Sequence, residues 1–295
     1  MNQDESHPKL RLAPVETSTD LERRIERERR AEQRRREDDL SQSLAPFRVG
    51  SVPHLNAVPL TRGLEDQIRF LPPAQLGDCL RRGELDAALL SVTESLLDDR
   101  YDVLDGIAVA SLGEVKSVFL AHRQPLSEIR EVHCDPVSLT SRLLLEVLLA
   151  ERGIRPVFRL LPETEGGPWP DAILLIGDRA LSFLSAEPEH AIWDLGAAWY
   201  EATQLPFVYA VWTMRRERDH APLRRQLREA KDFGMDTLDQ IIRERTDYPP
   251  DFLKDYLGWH IHYHLGSDEK RGIRRFVELL CKHGLGAARE PHYVF

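Results

Sequence analysis

Cysteine and long apolar runs are scarce in this chain. The three cysteines among 295 residues (Cys79, Cys134 and Cys281) are far apart and odd in number, which excludes a disulfide framework and a paired metal-type spacing. We expect three buried free thiols in a reducing compartment. No apolar run approaches the roughly 18 residues of a membrane helix, and the first residues lack the continuous apolar core of a secretion signal. A cytoplasmic protein without a membrane partner is therefore predicted.

Positive charge is also in deficit. The formal net charge of −9 argues against a nucleic-acid binder that relies on bulk electrostatics. Apolar residues make up 42% of the chain, which is enough for a sizeable core. The sequence leaves the oligomeric state open, a homodimer included.

Residues 1–45 differ in composition from everything that follows. The segment Leu21–Asp39 holds eight arginines against seven acidic residues. Opposite charges recur at helical spacing, so a solvated single helix is compatible with the pattern, but the segment has almost no apolar face. We predict a charged extension, disordered or helical and solvated. The alternative is that Arg36 and its neighbours contact an acidic partner.

Strand and helix patterns alternate from Phe47 onward, which predicts an α/β architecture with largely parallel sheets. The two alternating runs are followed by a helical tail, which we expect to pack back on the first run. The result is two lobes with a ligand cleft between them. Lobe I comprises 47–121 plus 210–295, and lobe II comprises 122–209. Strands are predicted at 47–49, 68–71, 86–90, 107–111, 117–122, 131–134, 157–161, 172–176 and 207–212, and helices at 74–82, 138–150, 193–203 and from 222 to 282.

Four predicted strand-to-helix turns carry polar side chains, and ligands of α/β folds bind at such turns. Asn56 precedes Pro59 by three residues, so it either caps a helix or faces a ligand. Ser91 follows a buried strand, where its hydroxyl can cap a helix or bond a carboxylate. Asp178 is predicted to be an N-cap, because a carboxylate would repel an anionic ligand.

The remaining turn has more hydroxyl groups than one helix cap requires. Ser138, Thr140 and Ser141 stand at the start of a strongly apolar helix. Backbone N–H groups at a helix N-terminus favour an anion, so this turn is either a cap or an anion site.

Other patterns of catalytic or metal chemistry are weak. His260, His262 and His264 would share a face on a strand, but the segment 252–266 looks helical and would spread them apart, so we predict no metal site. The chain has no Walker or GxGxxG pattern and no nucleophile system recognisable from spacing. The residues alone indicate a two-lobed binder, or a lyase, for a small acid.

Seven stretches in unbroken order, spanning roughly residues 47–290, resemble one family. It is the MqnA family of chorismate dehydratases, from the futalosine route to menaquinone. The stretches are VGSVPHLNAVPL, GELDAALLSVTE, ASLGEVKSVFL, DPVSLTSRLLLEVLL, DAILLIGDRAL, DLGAAWYEATQLPFVYAVW and YHLGSDEKRGIRRFVELLCKHG.

The resemblance implies a periplasmic-binding-protein type II-like fold and a lyase. Its substrate would be chorismate and its product 3-[(1-carboxyvinyl)oxy]benzoate, with no cofactor because aromatisation drives the loss of water. The resemblance makes Asn56 the catalytic residue, and it gives Ser117, Thr140 and Ser141 to the two substrate carboxylates. Ser91 and Ser138 complete the substrate-binding set. The family often has Tyr where His54 stands, and Pro-Ser where this chain has Ser91-Val92.

Two alternatives remain at this stage. An enzyme of the same pathway makes 1,4-dihydroxy-6-naphthoate on a related fold, but its opening usually reads S-x-x-P-N-D-T. A non-catalytic small-acid-binding or sensor protein would carry an export signal, a lipidated cysteine or a DNA-binding helix pair, and the sequence shows none of them.

Overall fold

Two separate mixed β-sheets organise the protein. The computed structural model describes residues 18–41, 43–134, 139–161, 168–218 and 220–295. The strands are β1 Val49–Ser51, β2 Ile68–Phe70, β3 Ala87–Ser91, β4 Tyr101–Ser111, β5 Val118–His122, β6 Glu131–Cys134, β7 Val157–Leu160, β8 Ala172–Ile176, β9 Ala191–Asp194, β10 Phe207–Arg215 and β11 His292–Val294. The helices are α1 Ser18–Leu40, α2 Val58–Thr61, α3 Pro73–Arg81, α4 Val92–Leu97, α5 Leu139–Glu151, α6 Gly177–Ser185, α7 Leu195–Thr203, α8 Ala221–Asp236, α9 Leu238–Glu244, α10 Pro250–Asp255 and α11 Ser267–Lys282.

The two sheets share one pattern of strand order. The first runs β11-β4-β10-β3-β1-β2 and the second β7-β6-β8-β5-β9. In each, three parallel strands are followed by an antiparallel strand, β10 in the first sheet and β5 in the second. The predicted parallel pairing therefore holds for β2-β1-β3 and β7-β6-β8, and β11 also pairs in parallel with β4. Since β5 and β10 each enter directly from the opposite sheet, they run against their neighbours.

Buried apolar strands lead the chain to the edge where the sheets face each other. Four of the five residues in both β3 and β8 are buried, which is the nearly continuous apolar run expected of strands covered on both faces. Such a run leaves no place for polar groups within the strand. The polar side chains accordingly stand at or beyond the carboxyl end, as Ser91 does in β3.

The chain passes from one sheet to the other a few residues away from the predicted lobe boundaries. Strand β5 pairs with β8 and β9 of the second sheet, although the boundary after residue 121 would leave most of it with lobe I. Strand β10 begins at Phe207 and pairs with β4 of the first sheet. The crossings therefore fall at 112–117 and in the α7 region. An apolar run in the sequence does not show which sheet it will join, and the assignment of residue ranges to the two lobes stays a prediction.

Two predicted helices are shorter than expected. The segment predicted as helix from Trp193 begins only at Leu195, because Ala191–Asp194 pairs with β5 as a strand. The predicted helix over 252–266 ends in a π-helical turn, Tyr256–His260. Beyond it the backbone is extended, and His262 exchanges two backbone hydrogen bonds with Ala110 of the first sheet, at 2.7 and 2.9 Å.

The charged N-terminal segment is a helix whose last turns dock on α8. The Arg36 guanidinium lies 2.7 Å from an Asp236 carboxylate oxygen and 2.9 Å from one of Glu229. It also lies over the Phe233 ring. Leu40 is buried at the end of α1, whereas the earlier turns are exposed. The acidic partner considered for Arg36 is therefore a helix of the same chain.

The cysteines confirm the predicted burial only in part. Cys79 and Cys134 are buried free thiols, whereas Cys281 is exposed. It stands in the last turn of α11, where the neighbouring Leu279 and Leu280 take the buried positions of an amphipathic helix. None of the helices in the described ranges combines the length and apolarity that a bilayer crossing requires.

Helix α8 also supports the chain just beyond Asn56. A β-carbon at Gly234 would lie 1.8 Å from the Pro59 carbonyl oxygen. Because Gly234 has no side chain, the backbone of α8 can come into direct contact with the backbone of α2. This contact fixes the helix that follows the Asn56 turn.

We predict that Gly234→Ala destabilises the protein by about 2 kcal/mol, because the overlap outweighs the better helix propensity of alanine. The urea midpoint measures the effect. Gly258→Ala is the matched control, since a β-carbon there meets nothing within 4 Å. An unchanged midpoint for Gly234→Ala would show that the helices can separate without cost.

Candidate active site

A cavity lies between the two sheets, where the carboxyl ends of β1, β3 and β8 meet. It contains about 680 Å³ of empty space, part of which opens to solvent. All four polar turns identified in the sequence contribute to it or border it. The described residues that line it are Val52, His54, Asn56, Pro73, Leu89, Ser91, Val109, Val115, Ser117, Val118, Ser141, Ile176, Gly177, Tyr209 and Ala210.

Asn56 faces this cavity from a single 3-10 turn, Leu55–Ala57, that follows β1. No side chain caps this turn or α2 after it, so the helix-cap interpretation of Asn56 is wrong. The turn is instead held from the opposite sheet, because the Leu55 backbone N–H donates to Asp178 Oδ1 at 3.2 Å. The Asn56 side chain lines the cavity and also contacts the Tyr256 hydroxyl.

Ser117 lies on the first crossing between the sheets, and Asp194 shapes that crossing. The Asp194 carboxylate accepts backbone N–H groups of Val115 at 3.1 Å, of Lys116 at 2.8 Å and of Ala197 at 2.9 Å. Lys116 has a φ of +60°, a conformation that costs energy for a residue with a side chain. Burial raises the pKa of Asp194 in spite of these three bonds. The carboxylate therefore stabilises the strained turn that presents Ser117 to the cavity.

Tyr256 supports Ser117 from the π-helical turn. Its hydroxyl donates to Ser117 Oγ at 2.8 Å, and both side chains are buried. Burial raises the pKa of Tyr256, while contacts with Ser117 and Asn56 act in the opposite direction. Tyr256 thus stays protonated, and the Ser117 hydroxyl, whose acceptor side is occupied, can donate its own proton to a ligand.

Thr140 lies beside the cavity and is not one of its described lining residues. Its hydroxyl bonds the hydroxyl groups of Ser91 and Thr93, the latter at 2.6 Å, and it accepts the Thr93 backbone N–H at 3.1 Å. Thr140 therefore connects α5 of the second sheet to the β3–α4 turn of the first. Ser141, the next residue, lines the cavity. Ser138 lies outside the described residues.

Asp178 does not cap α6, because Ile176 holds the N-cap position. Its carboxylate instead crosses to the first sheet, to the Leu55 N–H described above. Its Oδ2 atom also lies 3.7 Å from His54 Nδ1. The cap prediction was wrong because the sequence does not show that a chain segment from the other sheet passes this turn.

Sequence reasoning missed three aromatic side chains of the site, His54, Tyr209 and Tyr256. Tyr209 lines the cavity from β10, and its hydroxyl is 3.2 Å from Ser111 Oγ. Burial raises the pKa of Tyr209, which keeps it neutral. His54 was noted only as a departure from the family. No local sequence motif marks either tyrosine as a site residue, because tertiary packing places both beside the cavity.

The histidine cluster of the tail has structural partners. His260 Nδ1 is 2.9 Å from the Glu114 carbonyl oxygen, and its Nε2 is 3.2 Å from an Asp255 carboxylate oxygen. His262 belongs to the backbone bridge with Ala110. Across the described ranges, no group of three His, Cys, Asp or Glu side chains is placed to hold a metal ion.

The fold and the cavity between its sheets define a two-lobed protein of the periplasmic-binding-protein type, as predicted. The solved structures that resemble it show this fold. Protein AF1704 of Archaeoglobus fulgidus aligns with a TM-score of 0.63 at 18% identity, covering 81% of this chain and 98% of that one. The periplasmic aliphatic sulphonate binding protein of Escherichia coli aligns with a TM-score of 0.55 at 13% identity, covering 84% and 93%.

Within this class, the chain belongs to the menaquinone biosynthesis family, whose pattern matches residues 47–282. It is 34% identical to the chorismate dehydratase of Thermus thermophilus over 264 residues, which covers 80% of this chain and 96% of that protein. The family predicted from the seven sequence stretches is confirmed.

We predict that Tyr256→Phe lowers the free energy of unfolding by about 1–2 kcal/mol, because it leaves the buried Ser117 hydroxyl without its donor. Urea denaturation measures the change. Tyr263→Phe is the matched control: the Tyr263 hydroxyl is buried without a partner, so its removal should be neutral or stabilising. Equal losses in both variants would contradict the role assigned to the Tyr256 hydroxyl.

Proposed function

We propose that this protein is a chorismate dehydratase, a carbon–oxygen hydro-lyase that converts chorismate into 3-[(1-carboxyvinyl)oxy]benzoate for menaquinone synthesis in the cytoplasm. The family membership and the Thermus thermophilus relative support the reaction. The observation that carries the proposal is that Asn56, Ser91, Ser117 and Ser141, which come from distant parts of the chain, meet in one cavity.

The cavity suits a small acid with an apolar ring. Leu89, Val109, Val118 and Ile176 supply apolar walls for the ring, and the serine hydroxyls supply hydrogen bonds for carboxylates. The start of α5, next to Ser141, adds backbone N–H groups and the positive end of the helix dipole. A dicarboxylate can therefore be held at both ends, which orients it for reaction.

The reaction removes a proton from C3 and hydroxide from C4 of chorismate. The electrons of the C3–H bond form the new ring double bond as the C4–O bond breaks, and the proton joins the leaving hydroxide as water. Negative charge that develops during proton loss is conjugated to the C1 carboxylate. Hydrogen bonds to that carboxylate become stronger in the transition state and lower the barrier.

Asn56 is the catalytic residue of this proposal. Its amide hydrogen-bonds the departing hydroxyl or the enolate-like carboxylate, and it orients the reacting face. The Asp178 bond to the Leu55 N–H and the α8 contact behind α2 hold the turn that presents this amide. Preorganised donors of this kind typically contribute a factor of about 100 to 1,000 to a rate.

The described lining residues include no carboxylate. We therefore assign the proton acceptor to a carboxylate of the substrate itself, which keeps the transfer within the bound molecule. Nothing in this scheme requires a cofactor. The assembly state of the protein stays a prediction, with a homodimer as one outcome.

The experiment that tests the function mixes purified protein with chorismate alone. We expect loss of one water, followed by ultraviolet absorbance and mass spectrometry, without added metal or nucleotide. Product that appears only with a second substrate would overturn the proposal, as would binding without turnover.

For Asn56→Ala we expect the turnover rate to fall by about 100-fold or more, while the variant keeps its fold. Circular dichroism and urea denaturation verify the fold. Gln240→Ala, which removes an exposed amide from α9, is the control and should keep full turnover. Full turnover in a folded Asn56→Ala protein would refute the role of this amide.

A further inference from the structure

Helix α1 lies outside the range 47–282 that the family pattern matches. Its last turn is nevertheless part of the core. Leu40 and Leu44 are fully buried, and they belong to the same apolar cluster as Leu55, the residue before Asn56. An element that the family pattern does not include therefore packs close to the catalytic turn of the proposed function.

Leu40 reaches the backbone at the end of α2. Gly63 stands two residues beyond α2 with a φ of +81°, and a β-carbon there would lie 2.9 Å from Leu40 Cδ1 and 3.3 Å from Phe233 Cδ1. The side chains of Leu40 and Phe233 thus both contact this backbone. Phe233 precedes Gly234, whose backbone contacts α2. Helices α1, α2 and α8 therefore meet behind the Asn56 turn.

Arg36 fixes α1 on α8. Its guanidinium bonds Asp236 at 2.7 Å and Glu229 at 2.9 Å, and it lies over the ring of Phe233. The Arg36 side chain is only 24% exposed, whereas that of Arg30, one and a half turns earlier, is 66% exposed. Water screens the Arg36 pairs less for this reason. The contact holds Phe233 between α1 and the end of α2.

Gln67 ties the end of α1 to the segment that follows α2. Its side-chain amide donates to the Leu40 carbonyl oxygen at 2.7 Å, and its oxygen accepts the Leu44 backbone N–H at 2.9 Å. One side chain thereby satisfies two backbone groups at the end of a helix. Both Arg36 and Gln67 thus keep Leu40 in place against Gly63.

We propose that Arg36 and Leu40 are positioning residues for the reaction: they hold α2 and α8 together, and this keeps the Asn56 amide in its place in the cavity. A misplacement of about 1 Å of a reacting group can cost about 100-fold in rate, so a support behind the turn affects turnover. This inference rests on the proposed function, in which Asn56 is the catalytic residue.

Hydrogen–deuterium exchange tests the support without any turnover. The segment to follow is 55–64, in which the Ala57 N–H donates to the His54 carbonyl at 2.9 Å and the Leu64 N–H to the Thr61 carbonyl at 3.0 Å. For Leu40→Ala we expect exchange in this segment to accelerate by about tenfold, because it opens locally, while β8 of the second sheet keeps the wild-type rate. Equal acceleration in both segments would show a loss of global stability alone and overturn the proposal.

Val103→Ala is the control for stability. It truncates a buried side chain of β4 beside β11, so it also leaves a cavity in the core, but far from α2. It should change the exchange of 55–64 and of β8 alike and keep the wild-type kcat. A selective opening of 55–64 in this variant would overturn the assignment, since any core cavity would then produce it.

Turnover of chorismate tests the effect on the reaction. We expect kcat to fall by about tenfold in Leu40→Ala and about threefold in Arg36→Ala, with KM changed less than about twofold, since the misplaced amide acts in the transition state. Leu40→Met conserves volume and should restore most of the rate. The control for Arg36 is Arg27→Ala, because the exposed Arg27 bonds the Arg23 carbonyl oxygen of its own helix and should be dispensable. An unchanged kcat in Leu40→Ala would overturn the proposal.

A double variant shows whether α1 acts through Asn56. In the Asn56→Ala background, Leu40→Ala should lower kcat by less than about twofold, because the group that it positions is already absent. A further tenfold loss would assign the effect of α1 to another part of the site. If the wild-type protein does not convert chorismate, the proposed function fails, and the exchange experiment still decides whether α1 holds the Asn56 turn.

Discussion

The carboxylate of Asp194 is the constraint on which the site depends. It accepts backbone N–H groups from the first crossing between the sheets while it caps α7 on the second crossing. One partly buried side chain thus ties both connections together and stabilises the left-handed conformation of Lys116. These bonds offset the energetic cost of the turn at Lys116 that directs Ser117 into the cavity.

The second support comes from the C-terminal helices. Tyr256 reaches Ser117 from a π-helical turn, and such turns are frequent at functional sites because they redirect a side chain out of the regular helix. Gly234 of α8 brings that helix against α2 behind Asn56. The tail therefore does more than cover the first sheet: it places supports behind two of the polar groups that face the ligand.

The contacts across the cavity also explain its chemistry. Thr140, Asp178 and the crossings join the two sheets through hydroxyl, carboxylate and backbone groups, and the lining contains no lysine or arginine in the described part of the chain. Hydroxyl and amide groups without formal charge can keep their hydrogen bonds to the substrate while its ring changes from a diene to an arene.

The sequence by itself determined the α/β class, the buried strands, the polar turns after them and the family. These features are local: a continuous apolar run such as that of β3 predicts a buried strand, and hydroxyls at its end mark the ligand edge. Only the tertiary structure decided that Asn56 is no helix cap, that Asp178 reaches the opposite sheet and that Tyr256 supports Ser117. It also showed that both sheets share one strand order. The physical reason is that these contacts join residues more than a hundred positions apart, and no periodicity or spacing in a single chain encodes which distant segments will meet.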